Sequence, residues 1–124
     1  MTDSKECACC SAPKLIFACS GAADVGELTD LAARELTRRG AGRMFCLAGI
    51  GGGVSGIIES TRSARSILVI DGCGLNCAGK NLDAVGITGY AHMNLGEMGM
   101  QKGMSSPDAD KIEAIVAEGA KRLG

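Results

Sequence analysis

Apolar residues follow two rhythms along this chain. Short, nearly unbroken runs, Leu15 to Cys19, Arg43 to Ala48 and Ser66 to Ile70, have the length and composition of strands buried on both faces. Between them the apolar positions recur at helical spacing, first at Leu28, Leu31, Ala32 and Leu36, then at Val54, Ile57, Ile58 and Thr61. A shorter helix is expected from about Asn76 to Ala84, a weaker fourth strand within Ile87 to Met93, and a last helix carrying Ile112, Ile115, Val116 and Leu123. Punctuation fits this order. Asp24 is the expected cap of the first helix with Glu27 as its capping-box partner, and Gly40 its stop. Ser106 before Pro107 predicts the start of the last helix. Gly49 to Gly53 and Gly72 to Gly74 read as turns, and LGEMGMQKGMSSPD as a loop. Strands that alternate with helices predict an α/β fold: one three-layer domain with a mostly parallel sheet of about four strands and crossover helices, Rossmann/flavodoxin-like. That domain is expected over residues 14–124, behind a flexible, cysteine-containing leader at 1–13.

Composition narrows the function. Phe17, Phe45 and Tyr90 are the only aromatic residues, too few for a base-stacking surface. The formal charge is -1 and no basic tract occurs, so neither nucleic acid nor an anionic membrane is an expected partner. No apolar run approaches a membrane span, and MTDSKECACC lacks the apolar centre of a secretory signal, so a cytoplasmic location is expected. A protein partner and a homo-oligomer both stay open.

Seven cysteines are many for 124 residues. A reducing compartment disfavours disulfides, and an odd number cannot pair internally, so metal or thiol chemistry is the stronger expectation over simple core packing. The strand pattern gives their positions meaning. In an open parallel sheet all strands end on one edge, where ligands bind. Cys19 closes the first strand, Cys46 sits near the end of the second, and Cys73 and Cys77 follow the third. Four thiols are thereby directed to one edge, although Cys46 before Leu47-Ala48 could also point into the core. Such a set suits zinc. The first turn of a helix at Cys77 would favour the thiolate, and backbone amides of the Gly72 turn could bond the sulfurs. Asp71 either bonds a metal ligand or caps the turn. Cys7, Cys9, Cys10 and His92 are candidates for additional metal or thiol roles.

Two alternatives compete. Cys73 could be a redox nucleophile resolved by Cys77, or the same thiols could hold an iron-sulfur cluster. Separately, Gly51, Gly53 and Gly56 match G-x-G-x-x-G, which makes Gly49, Gly51, Gly52 and Gly53 a candidate anion-binding loop. The motif falls late after its strand, and neither GxxxxGK[ST] nor C-x5-R is present, so a plain turn is the preferred reading.

The segments FACSGAADVGELTDLAARELTRRG, MFCLAGIGGGVSGIIESTRSARSILVIDGCGLNCAGKNLDAVGI and LGEMGMQKG resemble the DGC-domain family, named for Asp71-Gly72-Cys73. The resemblance implies a zinc-binding protein with four chelating cysteines, which fall here on Cys19, Cys46, Cys73 and Cys77, and it implies no particular reaction. Members often carry proline after the motif cysteine, where this chain has Gly74.

Overall fold

The computed structural model describes residues 12–124. Four strands, β1 (Lys14–Ala18), β2 (Arg43–Met44), β3 (Ser66–Asp71) and β4 (Ala91–Asn94), form one sheet in the order β2-β1-β3-β4, every pairing parallel. The helices are α1 (Asp24–Arg38), α2 (Leu47–Gly51), α3 (Ser55–Arg62), α4 (Cys77–Ala84) and α5 (Ala109–Leu123). A 3-10 turn, Leu95–Met98, follows β4.

Strand alternation sorts the core into two halves. Ile16, Ala18, Leu68, Ile70 and Met93 face α1 and α5, packing on Leu28, Ala32, Leu36, Ile115 and Val116. Leu15, Phe17 and Val69 face the other way, onto Ile50 of α2 and Ala78 and Leu82 of α4. This gives the expected three layers. The order β2-β1-β3-β4 matches the first four strands of a flavodoxin-like sheet. Successive connections leave β1 in one direction and β3 in the other, so the topological switch lies between the carboxyl ends of β1 and β3.

Some local expectations change. Only Arg43 and Met44 pair as a second strand, because Cys46 starts α2. The expected glycine turn is therefore largely helix. Ala23 occupies the N-cap of α1 without a side-chain bond, since Asp24 turns to the loop at Gly103 and Ser105 instead. Asp108, not Ser106, caps α5: its carboxylate accepts from the Lys111 amide. The fourth strand lies later than its apolar run, at Ala91–Asn94, because Gly86 ends α4 and Gly89 also has a positive φ.

Glycine has a dominant local use. At Gly40 (φ 81°) the Ala41 amide reaches back to the Leu36 carbonyl and the Gly40 amide to Thr37, a Schellman stop for α1. The same pair of bonds recurs at Gly53 after α2, with the Val54 amide on Gly49 and the Gly53 amide on Ile50.

Candidate functional site

The parallel topology brings the carboxyl ends of all four strands to one edge. Cys19 directly follows β1, Cys46 lies two residues past β2, Cys73 two residues past β3, and Cys77 opens α4. All four are free thiols. Their surroundings differ. Cys19 is half-buried, its amide donates to the Ile70 carbonyl at 3.0 Å, and its Sγ lies 3.5 Å from Thr29 Oγ1 on α1. Cys46 is exposed, and its Sγ accepts from the Gly49 amide at 3.3 Å, so it caps α2 instead of entering the core. Cys19 and Cys46 line one cleft of about 630 Å³, together with Phe45, Asp30, Arg34 and Asn81. Cys73 is half-buried beside the core under α1, and Cys77 is exposed.

The loop after β3 is the most constrained part of this edge. Asp71, 1% exposed, does not bond within its own turn. Its Oδ1 accepts from the Ala78 amide at 2.8 Å and its Oδ2 from the Gly79 amide at 3.1 Å. A buried carboxylate thus satisfies two of the orphan donors at the start of α4, where the helix field also favours negative charge. Gly72 passes so close to α1 that a Cβ there would meet the Val25 carbonyl carbon at 2.9 Å. Asn76 stands at φ 52°, left-handed, immediately before Cys77. Asparagine tolerates this region better than most residues.

His92 lies against α4 and Asp71. Its Nε2 lies 2.8 Å from Asp71 Oδ2, which leaves Nδ1 as its other ring nitrogen. Tyr90 crosses the imidazole edge-on, with ring centroids 5.9 Å apart; its one hydroxyl proton goes to Asp83 Oδ1 at 2.9 Å, with the Gly79 carbonyl at 3.2 Å. Burial first, and then Asp83, push the Tyr90 hydroxyl up to about 12. Asn94, two positions further, donates to the Cys73 carbonyl at 2.8 Å and to Asn76 Oδ1 at 2.7 Å. One face of β4 therefore holds α4 and the cysteine loop through polar groups. Sequence reasoning singled out His92 and passed over Tyr90 and Asn94. The signal was present: in Tyr90-Ala91-His92-Met93-Asn94 polar and apolar residues alternate at the strand period.

Two glycines of the candidate anion-binding loop, Gly49 and Gly51, have close protein neighbours, whereas Gly53 has open space around it. A Cβ on Gly49 would meet Ile57 at 2.8 Å, and one on Gly51 would meet Asn81 Oδ1 at 2.5 Å. These glycines let α2 pack closely on α3 and α4. Cys7, Cys9 and Cys10 lie outside the described residues. The chain enters at Pro13, whose carbonyl accepts from the Arg65 amide just before β3, at the sheet edge opposite Cys19.

The chemistry of the donor set fits a soft cation: four thiols reach one edge from three loops. Among the described residues, however, no three His, Cys, Asp or Glu side chains are gathered closely enough to hold a metal ion. Among those residues, too, no helix is long and apolar enough to cross a membrane.

The DGC domain profile matches residues 15–118. Among curated proteins, the chain is 34% identical over 116 residues to the anaerobic and virulence modulator AnvM of Pseudomonas aeruginosa, spanning 87% of this chain and 88% of that protein. No solved structure matches the chain.

Proposed function

This chain belongs to the DGC domain family, and from that premise we propose that it binds zinc through the thiolates of Cys19, Cys46, Cys73 and Cys77. One observation carries the reading. An all-parallel sheet sends the residues after β1, β2 and β3 to a single edge, and each of those three loops carries cysteine. Cys19 and Cys73 flank the switch between β1 and β3, where open α/β sheets take their ligands. Thiolates are the donors that borderline-soft Zn²⁺ prefers.

Binding by all four would make a closed site, suited to a structural role or to holding metal for transfer. Cys46 and Cys77 are exposed, so metal can reach them from solvent. The Gly49 amide on Cys46 and the Thr29 hydroxyl beside Cys19 are weak contacts to sulfur that leave both thiols free to turn towards a metal. Free thiols on an exposed edge suit a cytoplasmic setting. A modulating role, in line with the name of the Pseudomonas relative, fits this chemistry, since thiolate sites respond to oxygen and to metal supply.

The same exposure favours a second reading. Cys77 opens α4 and is exposed, so a disulfide or a partner thiol can reach it from solvent. A thiol redox role, or an iron-sulfur cluster, would use the same cysteines.

The deciding experiment measures metal, sulfide and free thiols together on native protein purified anaerobically without added metal. About one zinc per chain, with Cys73 and Cys77 protected from alkylation until a chelator is added, is the expected result. Cys73→Ser should then lose most of the zinc. Iron with sulfide would transfer the ligands to the second reading. Metal-free protein with one hyper-reactive thiol would sink the zinc assignment.

A further inference from the structure

Asn94 closes β4, opposite Asp71 in the sheet register. Its side-chain amide makes three bonds. Nδ2 donates to the Cys73 carbonyl at 2.8 Å and to Asn76 Oδ1 at 2.7 Å, while Oδ1 accepts from the Gly96 amide at 2.9 Å. One planar group is thus fixed from behind by the 3-10 turn and grips the cysteine loop at two points. Those points are the main chain of Cys73 and the residue directly before Cys77. The far end of the loop is held independently, because Asp71 accepts the Ala78 and Gly79 amides and is itself held by His92 of β4.

The loop needs such support. It contains Gly72 and Gly74, residues that lose the most conformational freedom on ordering. It also contains Asn76 in a left-handed conformation at φ 52°. A Cys-x3-Cys pair is useful to a metal only if the backbone sets the two sulfurs at a constant separation. The loop makes few restraints of its own: within it, the Asn76 amide returns to the Cys73 carbonyl at 3.2 Å. That carbonyl is the one Asn94 also bonds.

We infer that Asn94 is the positioning residue of the Cys73–Cys77 arm, fixing the loop that carries both thiols. The inference rests on the proposed metal site and adds to it a residue that touches no metal. It predicts that metal affinity depends on a β4 amide that comes from elsewhere in the sequence. Groups that orient ligands from outside the coordination sphere typically carry about 10–100-fold of metal affinity.

The test is anaerobic cobalt(II) titration of the full chain, read by the sulfur-to-cobalt absorption band, with zinc competition for affinity. Asn94→Asp keeps the acceptor for Gly96 and loses both donations, so it should weaken cobalt and zinc binding by about 10–100-fold. Asn76→Gly is the second variant, should Asn94→Asp fail to fold. Glycine relieves the left-handed strain at φ 52°, which offsets the lost bond from Asn94 and the added chain freedom, so melting of the metal-free protein should change little. Metal affinity should nevertheless fall, and a purely structural role would not split the two readouts in that way. Wild-type binding with a full thiolate band and both variants within threefold of it would overturn the positioning role while leaving the metal site standing. A wild-type chain that gives no thiolate band with cobalt and takes up no zinc would overturn both.

Discussion

Asp71 combines two demands in one side chain: it ends a buried strand, and it serves the helix beyond the loop. A carboxylate at 1% exposure is expensive unless its oxygens are bonded, and the Ala78 and Gly79 amides and His92 meet that need. Asp71→Ala would leave two buried amides without a partner, a loss of roughly 2–4 kcal/mol. Asp71→Asn keeps one acceptor and should cost less. Urea denaturation of both variants checks the order, and equal losses would count against the capping role. Gly72 is constrained by space. A methyl group there would lie 2.9 Å from the Val25 carbonyl carbon, which is backbone and cannot rotate away. Gly72→Ala should therefore destabilise by about 1–3 kcal/mol, as overpacking does, whereas Gly74→Ala, with nothing within 4 Å, should be close to neutral. The Asp-Gly-Cys sequence was visible from the start, but the reason for its glycine was not. That reason is a helix which the chain reaches almost fifty residues earlier.

Among the elements, α1 shows how a legible pattern can carry a hidden partner. Leu28, Ala32 and Leu36 are buried as their spacing predicts, and Gly40 ends the helix. The expected capping box is absent because Asp24 has a better use: the amides of Gly103 and Ser105, with that of Val25, converge on its carboxylate. Gly103 and then Ser105 hold its carboxyl below the ordinary value of 3.8. A lowered folded value means that this contribution is present above the unfolded value and lost as the pH falls through the folded one. The loop should therefore loosen from α1 below about pH 4. Faster exchange of the Gly103 and Ser105 amides, relative to those in α5, would report it. Protection that persists after every carboxyl of the protein is protonated would contradict it. The methionine-rich segment is explained at the same scale. Met93 and Met100 belong to the core, Met98 packs against it, and Met104 is exposed. Sequence periodicity misses such a segment because loop residues enter the core at no regular spacing.

At the scale of the whole molecule, one edge of the sheet holds the thiols and the other holds the chain entry. Cys10 stands four residues before Lys14, and Cys19 lies five strand steps beyond it, about 16 Å along β1, so a leader thiol would join the site only by folding back over the whole strand. Removal of residues 1–11 should therefore leave the metal stoichiometry of the remaining chain unchanged. A fall in bound zinc per chain would return the leader thiols to the site. The sequence by itself determined the α/β class, the order of the four strands and of the helices other than α2, the helix stop at Gly40, and the four cysteines at strand ends. Those features follow from local spacing, because hydrophobic period and glycine chemistry act within a few residues. Only the tertiary structure decided the order β2-β1-β3-β4, the switch between β1 and β3, the true partners of Asp24 and Asp71, and the grip of Tyr90, His92 and Asn94 on α4. These are bonds between residues distant in the chain. Their geometry depends on how strands are ordered side by side, and that order is set by packing both faces of the sheet, which no local pattern encodes.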